Sequence, residues 1–316
     1  MKIFLFFSGF VVGMGIFLLG LRLMGTALES VLGHRLRILL TGLTATKGRS
    51  VVAGMLGTVL VQSSSAIASA MVILVDNGVL SISQAFGVIL GANIGTTFTA
   101  QIIAFPLGVV AWPLLVGGLL LFCLRRTRSV GLAVFGLGAL FYGLTVTTSS
   151  LSPLLEYPLV KQTLIKLTNT PAQAILVGIL LTALVQSSSA ITGLVVSLVS
   201  LNSLSLGAAV GLALGSNIGT VVTTLIAGFG RERSSKATAY ADLLFNLGGV
   251  LLILPVFPLF LRAISYTSIY PARQVANAHT LFNAITALLA VPFLDYLAGV
   301  AWWWAGIRRG NTNNKG

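Results

Sequence analysis

The stretch GMLGTVLVQSSSAIASAMVILV, residues 54–75, decides the fold. It is apolar and long enough to cross a bilayer, for which about 20 residues suffice. Yet Gln62, Ser63, Ser64 and Ser65 place four consecutive polar side chains at its centre. A break at membrane depth is tolerated only where protein or water surrounds it. The element returns as Gln186-Ser187-Ser188-Ser189-Ala190, 124 residues after Gln62 to Ala66. A second element, Gly91-Ala92-Asn93-Ile94-Gly95-Thr96, returns as Gly215-Ser216-Asn217-Ile218-Gly219-Thr220 at the same offset of 124. Ten of these eleven paired positions are identical, which makes the chain an internal duplication.

Composition sets the solvent. Of 316 residues 56% are hydrophobic and 8% charged, with a mean hydropathy of +1.00; soluble domains carry about 25% charged residues. Soluble, disordered and fibrous classes are excluded. The net charge of +13 does not point to nucleic acid, because the basic residues form short clusters between apolar runs, as the positive-inside rule requires. Cys123 is the single cysteine, so no intrachain disulfide is possible. His34 and His279 are the two imidazoles, too few for a metal cluster or for two copies of a serine nucleophile, and no enzyme is expected. Trp302, Trp303 and Trp304 read as an interface belt.

The predicted architecture is an all-α polytopic membrane protein of two inverted-topology repeats, each with a re-entrant Q-S-S-S hairpin and a broken G-x-N-I-G-T helix. A first helix spans 3–21, and an amphipathic interfacial segment covers 29–50. The hairpins occupy 51–75 and 175–199, the interrupted helices 82–105 and 204–228, and a plain span 107–124. Residues 1–124 form the first repeat, 125–235 the core of the second, 236–300 two further transmembrane helices and 301–316 a cytoplasmic tail. Those two further helices are paired in kind: Ala239 to Asn246 and Ala276 to Asn283 lie 37 residues apart, each nine residues ahead of Pro255 or Pro292.

With hairpins returning to their own side, fourteen of the nineteen Lys and Arg residues, Arg22 among them, fall on one side and five on the other. That places the N-terminus outside and the C-terminus in the cytoplasm of a plasma (inner) membrane protein.

An inverted repeat with two broken elements per half is the layout of secondary transporters, whose site lies at the midplane between the repeats. A half-helix starting at Ser63 to Ser65 or Ser187 to Ser189 offers free N–H groups, hydroxyls and a positive dipole end, donors that suit a tetrahedral oxyanion. Unwound carbonyls around Asn93 and Asn217, with Thr96, Thr97 and Thr220, would supply hard oxygens for sodium. The motifs hold no carboxylate and no cation. Asp242 and His279 occupy equivalent positions and are read as polar contacts between helices, not as ligands.

The two Q-S-S-S elements, the G-[AS]-N-I-G-T elements and the H-x-x-F-N of His279 to Asn283 resemble the type II sodium/phosphate cotransporter family over roughly residues 1–300. The resemblance implies sodium-driven movement of inorganic phosphate by alternating access; a passive anion channel or a phosphate exporter of the same fold is the alternative. It assigns substrate and ion binding to Gln62, Ser63, Ser64, Ser65, Gln186, Ser187, Ser188 and Ser189, and further to Asn93, Thr96, Thr97, Asn217 and Thr220. Sodium is expected among Gln62, Ser65, Asn93, Thr97, Gln186, Ser189 and Asn217, as coupling ion and with no other cofactor. The partners are phosphate, sodium and the lipid bilayer, without nucleic acid. Many bacterial relatives add a regulatory domain, and this sequence ends soon after Lys315.

Overall fold

The computed structural model describes residues 2–42, 44, 46–105 and 108–307, and for 2–5, 29, 31–42 and 307 the backbone alone. Its regular structure is helical throughout: α1 (Lys2–Gly42), α2 (Lys47–Val61), α3 (Ser64–Asp76), α4 (Ile82–Ile103), α5 (Ala111–Cys123), α6 (Arg128–Leu155), α7 (Pro158–Leu167), α8 (Pro171–Val185), α9 (Ser188–Ser200), α10 (Leu206–Gly228), α11 (Arg233–Ile253), α12 (Phe257–Ser265), α13 (Pro271–Ala290) and α14 (Leu294–Ile307). Among the described residues six helical stretches are long and apolar enough to cross a membrane.

Both hairpins are present, and their direction follows from the neighbours of α2 and α4. Ser50 meets Gly87, Thr58 meets Gly95 and Gln62 bonds Thr99, each pair 37 residues apart, so α2 and α4 run parallel. At their start the Gln84 side chain donates to the Thr44 carbonyl at 3.1 Å. The chain therefore has to come back along α3 before α4 begins, which makes α2–α3 re-entrant. In the second half Ala174 meets Gly211 and Thr182 meets Gly219, again 37 apart, so α8–α9–α10 repeats the arrangement.

Glycine makes the parallel pair possible. A Cβ on Gly54 would sit 1.9 Å from the Val88 carbonyl oxygen, and one on the equivalent Gly178 would sit 2.3 Å from that of Leu212. Without a side chain the two backbones approach closely, as small residues allow between membrane helices.

The halves are inverted. Helix α1 packs against its counterpart α6 with Gly13 facing Gly143 and Gly20 facing Gly136, a pairing in which one number falls as the other rises. Equivalent helices thus run antiparallel. One end of the bundle gathers the Lys47–Asp295 ion pair at 2.7 Å, the Arg231–Asp76 pair at 2.9 Å and the Ser30–Ser129 hydrogen bond at 2.9 Å. At the opposite end Arg273 donates to the Gln101 carbonyl and lies over the Phe105 ring.

Three expectations are corrected. Helices α4 and α10 are unbroken: their glycines serve close packing, and the Thr96, Thr97 and Thr220 hydroxyls bond back to Ala92, Ile94 and Ser216 carbonyls of their own helix at 3.0, 2.7 and 2.8 Å. No unwound carbonyls exist there for an ion. The segment 29–50 is not one interfacial helix but the end of α1 and the head of α2, and its side chains at 31–42 lie outside the described residues. The expected plain span 107–124, whose first residue lies outside the described residues, is a shorter helical stretch, a 3-10 turn at Gly108–Val110 running into α5, about 25 Å against a hydrocarbon core of about 30 Å. The paired final helices do appear, with Pro255 and Pro292 each in a short 3-10 turn, after which α12 and α14 continue the chain. Of the predicted tail, residues 308–316 lie outside the described residues.

Candidate functional site

The breaks that matter fall at the glutamines. Gln62 closes α2 with φ 58° and Gln186 closes α8 with φ 56°, the left-handed region that costs a non-glycine residue energy. That kink stops each helix and turns the next residue, Ser63 or Ser187, into an N-cap: each hydroxyl accepts the N–H three residues on, Ala66 or Ala190, at 3.2 Å. Helices α3 and α9 therefore begin at the turns and aim their positive ends, with free first-turn N–H groups, at whatever lies in front.

What lies in front is shared. Gln62 and Ser63 of the first turn, and Ser187 and Ser189 of the second, line one cleft of about 420 Å³. Helix α1 closes it with Arg22 and Thr26. Two segments far apart in sequence are thus brought to one place, as the duplication predicts. Arg22, counted in the sequence among charges at a helix end, thus lies on the wall of this cleft, and the turns share it with a cation that their own motifs do not hold. The signal was in the sequence: Arg22 interrupts the span Phe6–Leu28, and an ionisable residue inside a span is costly unless it serves a purpose.

A second, smaller space lies behind the first turn. This void of about 10 Å³ is lined by Ser64, Ser65, Asn93, Asn217 and Thr220 together with Thr224, Asp242 and Asn246. The expected site residues therefore divide between a cleft and a void. Ser188 is buried and lines neither, Gln186 is exposed, and Thr96 and Thr97 are occupied by their own helix.

Asp242 and His279 sit in matched settings. Asn93 lies beside Asp242 on the wall of that void, while Asn217, its counterpart in the second repeat, faces His279 Nε2 at 2.8 Å through its side-chain oxygen. One turn on, the Asn246 and Asn283 amides donate to the carbonyls of Asp242 and His279 at 3.0 and 2.9 Å. Reading both residues as contacts between helices is correct as far as it goes, but for Asp242 it misses the void.

Two inverted helical repeats meeting at paired half-helix ends define a transport-type membrane protein. Residues 16–149 and 148–269 each match the Na+/Pi-cotransporter family, and the chain belongs to that family. Among its relatives, the uncharacterized protein YqeW of Bacillus subtilis (strain 168) is 35% identical over 240 residues, 75% of this chain and 78% of that one. YjbB of Escherichia coli (strain K12), provisionally named an inorganic phosphate export protein, is 28% identical over 283 residues, 88% of this chain but 52% of YjbB, so the match spans about half of that relative. The human sodium-dependent phosphate transport protein 2B is 39% identical over 94 residues, 28% of this chain and 14% of that protein. No solved structure matches.

Proposed function

We propose that the protein couples sodium to the movement of inorganic phosphate across the plasma membrane, with phosphate held in the cleft between the two Gln-Ser-Ser-Ser turns. The observation that carries this reading is that Gln62, Ser63, Ser187 and Ser189 line one cleft with Arg22. A tetrahedral oxyanion has acceptors in four directions, and donors converge here from two helix ends, hydroxyls, an amide and a guanidinium. Arg22 supplies one full charge. A divalent phosphate leaves a second uncompensated, which is expensive away from water and which a bound sodium ion would offset. By linkage phosphate and sodium then raise each other's affinity by the same factor.

The inverted repeats favour alternating access, because each half can adopt the other's conformation about a fixed site. The N-terminus is placed outside and the C-terminus in the cytoplasm, with residues 1–124 and 125–235 as the two repeats.

Phosphate flux into proteoliposomes with and without a sodium gradient tests the coupling, and phosphate binding in sodium and in choline buffers tests the linkage. Flux that follows the sodium gradient and binding that strengthens in sodium are expected. Equal affinity in both buffers, with flux indifferent to sodium, identifies a passive channel instead. The named role of YjbB makes export the alternative direction, and imposing the gradient from either side distinguishes it.

A further inference from the structure

Asp242 is 4% exposed and lies within a membrane span. Its carboxylate accepts from the Thr224 hydroxyl at 2.7 Å and from the Asn246 amide at 2.8 Å, and Asn93 lines the void beside it. All three are neutral. The ion pairs among the described residues join Lys47 to Asp295 and Arg231 to Asp76, and neither includes Asp242. An ionised carboxylate taken out of water costs several kcal/mol unless a positive charge meets it, and hydrogen bonds from neutral groups do not supply that charge.

The void of about 10 Å³ adjoins this carboxylate. A space of that size admits about one water molecule, and hence one desolvated monatomic cation. Its lining is oxygen-rich: Ser64, Ser65, Thr220, Thr224, Asn93 and Asn246 contribute hydroxyl or amide groups. Asn246 adds an independent sign, since its side-chain oxygen is buried and has no hydrogen-bond partner. Hydroxyl, amide and carboxylate oxygens select hard cations. A single carboxylate suits a monovalent ion better than a divalent one, which gathers several.

We propose that Asp242, with Asn246, Asn93, Thr224 and the Ser64–Ser65 start of α3, forms a sodium site. Among the described residues the site exists once. Its counterpart in the second repeat holds His279 in place of the carboxylate, and His279 is already engaged with Asn217 at 2.8 Å. With sodium as the coupling ion, as proposed above, this places the cation immediately behind the first Gln-Ser-Ser-Ser turn, where binding it cancels the Asp242 charge that would otherwise repel an anion in the cleft.

The test is thermal unfolding of the full chain in phosphate-free nanodiscs, with sodium replacing choline at constant ionic strength. The wild-type midpoint is expected to rise with sodium, and Asp242→Asn to shift the half-saturating concentration by about tenfold or more. Ser65→Ala, a small truncation that leaves the fold intact, should shift it in the same direction and decides the matter if Asp242→Asn does not fold. The midpoint in choline alone separates a folding defect from a lost ion. Unchanged sodium dependence in both variants overturns the site, as does a wild-type midpoint that follows pH but not sodium. Failure of the transport reading registers elsewhere, as phosphate binding to the wild type that is equal in sodium and choline.

Discussion

Thr99 donates its hydroxyl to the side-chain oxygen of Gln62 at 2.7 Å, tying the first turn to α4. The equivalent residues 124 positions on, Gln186 and Thr223, are not joined: Gln186 is exposed and the Thr223 hydroxyl is buried with no partner. One tether is closed in the first half and open in the second. Thr99→Val should therefore destabilise the protein by about 0.5–1.5 kcal/mol, the net worth of a hydrogen bond to the half-buried Gln62 side chain. Thr223→Val removes a hydroxyl that bonds to nothing and should stay within about 0.5 kcal/mol. Denaturant unfolding of the two variants in lipid discs checks this, and equal effects would refute the asymmetry.

Arg22 is the charged side chain on the cleft wall. Arg22→Gln keeps length and hydrogen-bonding capacity but removes the charge, and is expected to weaken phosphate binding by about 1.5–3 kcal/mol. Because the ligand is an anion, the loss should shrink as ionic strength rises if Arg22 acts only at long range, and persist if it touches phosphate. Equilibrium binding at two salt concentrations separates these.

Close packing of α2 on α4 and of α8 on α10 leaves no room for a methyl group. Gly54→Ala and Gly178→Ala should each destabilise by about 1–3 kcal/mol or more. Gly15 has nothing within 4 Å of a built Cβ, so Gly15→Ala should be neutral or stabilise by up to about 1 kcal/mol. Thermal unfolding of the three variants gives the order directly.

Orientation is read by labelling. In a variant with Cys123 replaced, single cysteines at Arg128 and Arg233 should react with impermeant reagent only from the cytoplasmic face, and one at Lys161 only from outside. Reaction of Arg128 and Lys161 positions from the same face would contradict the inverted arrangement.

The duplication, the hairpins and the opposite sense of the two halves were legible without coordinates. Gln62 and Gln186 at one offset from their Gly-x-Asn-Ile-Gly-Thr partners, and arginine clusters at apolar boundaries, are patterns along the chain. The interruption of α4 and α10 was misread, because glycine and asparagine in an apolar run carry the same local signature whether they unwind a helix or let another approach it. Gly91 answers to Val51, whose carbonyl oxygen would lie 1.8 Å from a Cβ there, and only the neighbour reveals that use.

By itself the sequence determined what is periodic and local: a membrane-embedded chain, two repeats, a turn at each glutamine and a helix start at each Ser63 or Ser187. Tertiary structure alone decided which side chains share a space. Arg22 joins the turns, and Asp242 finds Asn93, Thr224 and Asn246 beside a void, through packing of α1, α4, α10 and α11. The physical reason is that hydrophobicity and backbone propensity act over a few residues, whereas the charge environment of a buried side chain is set by whichever helices pack against it, however distant in sequence.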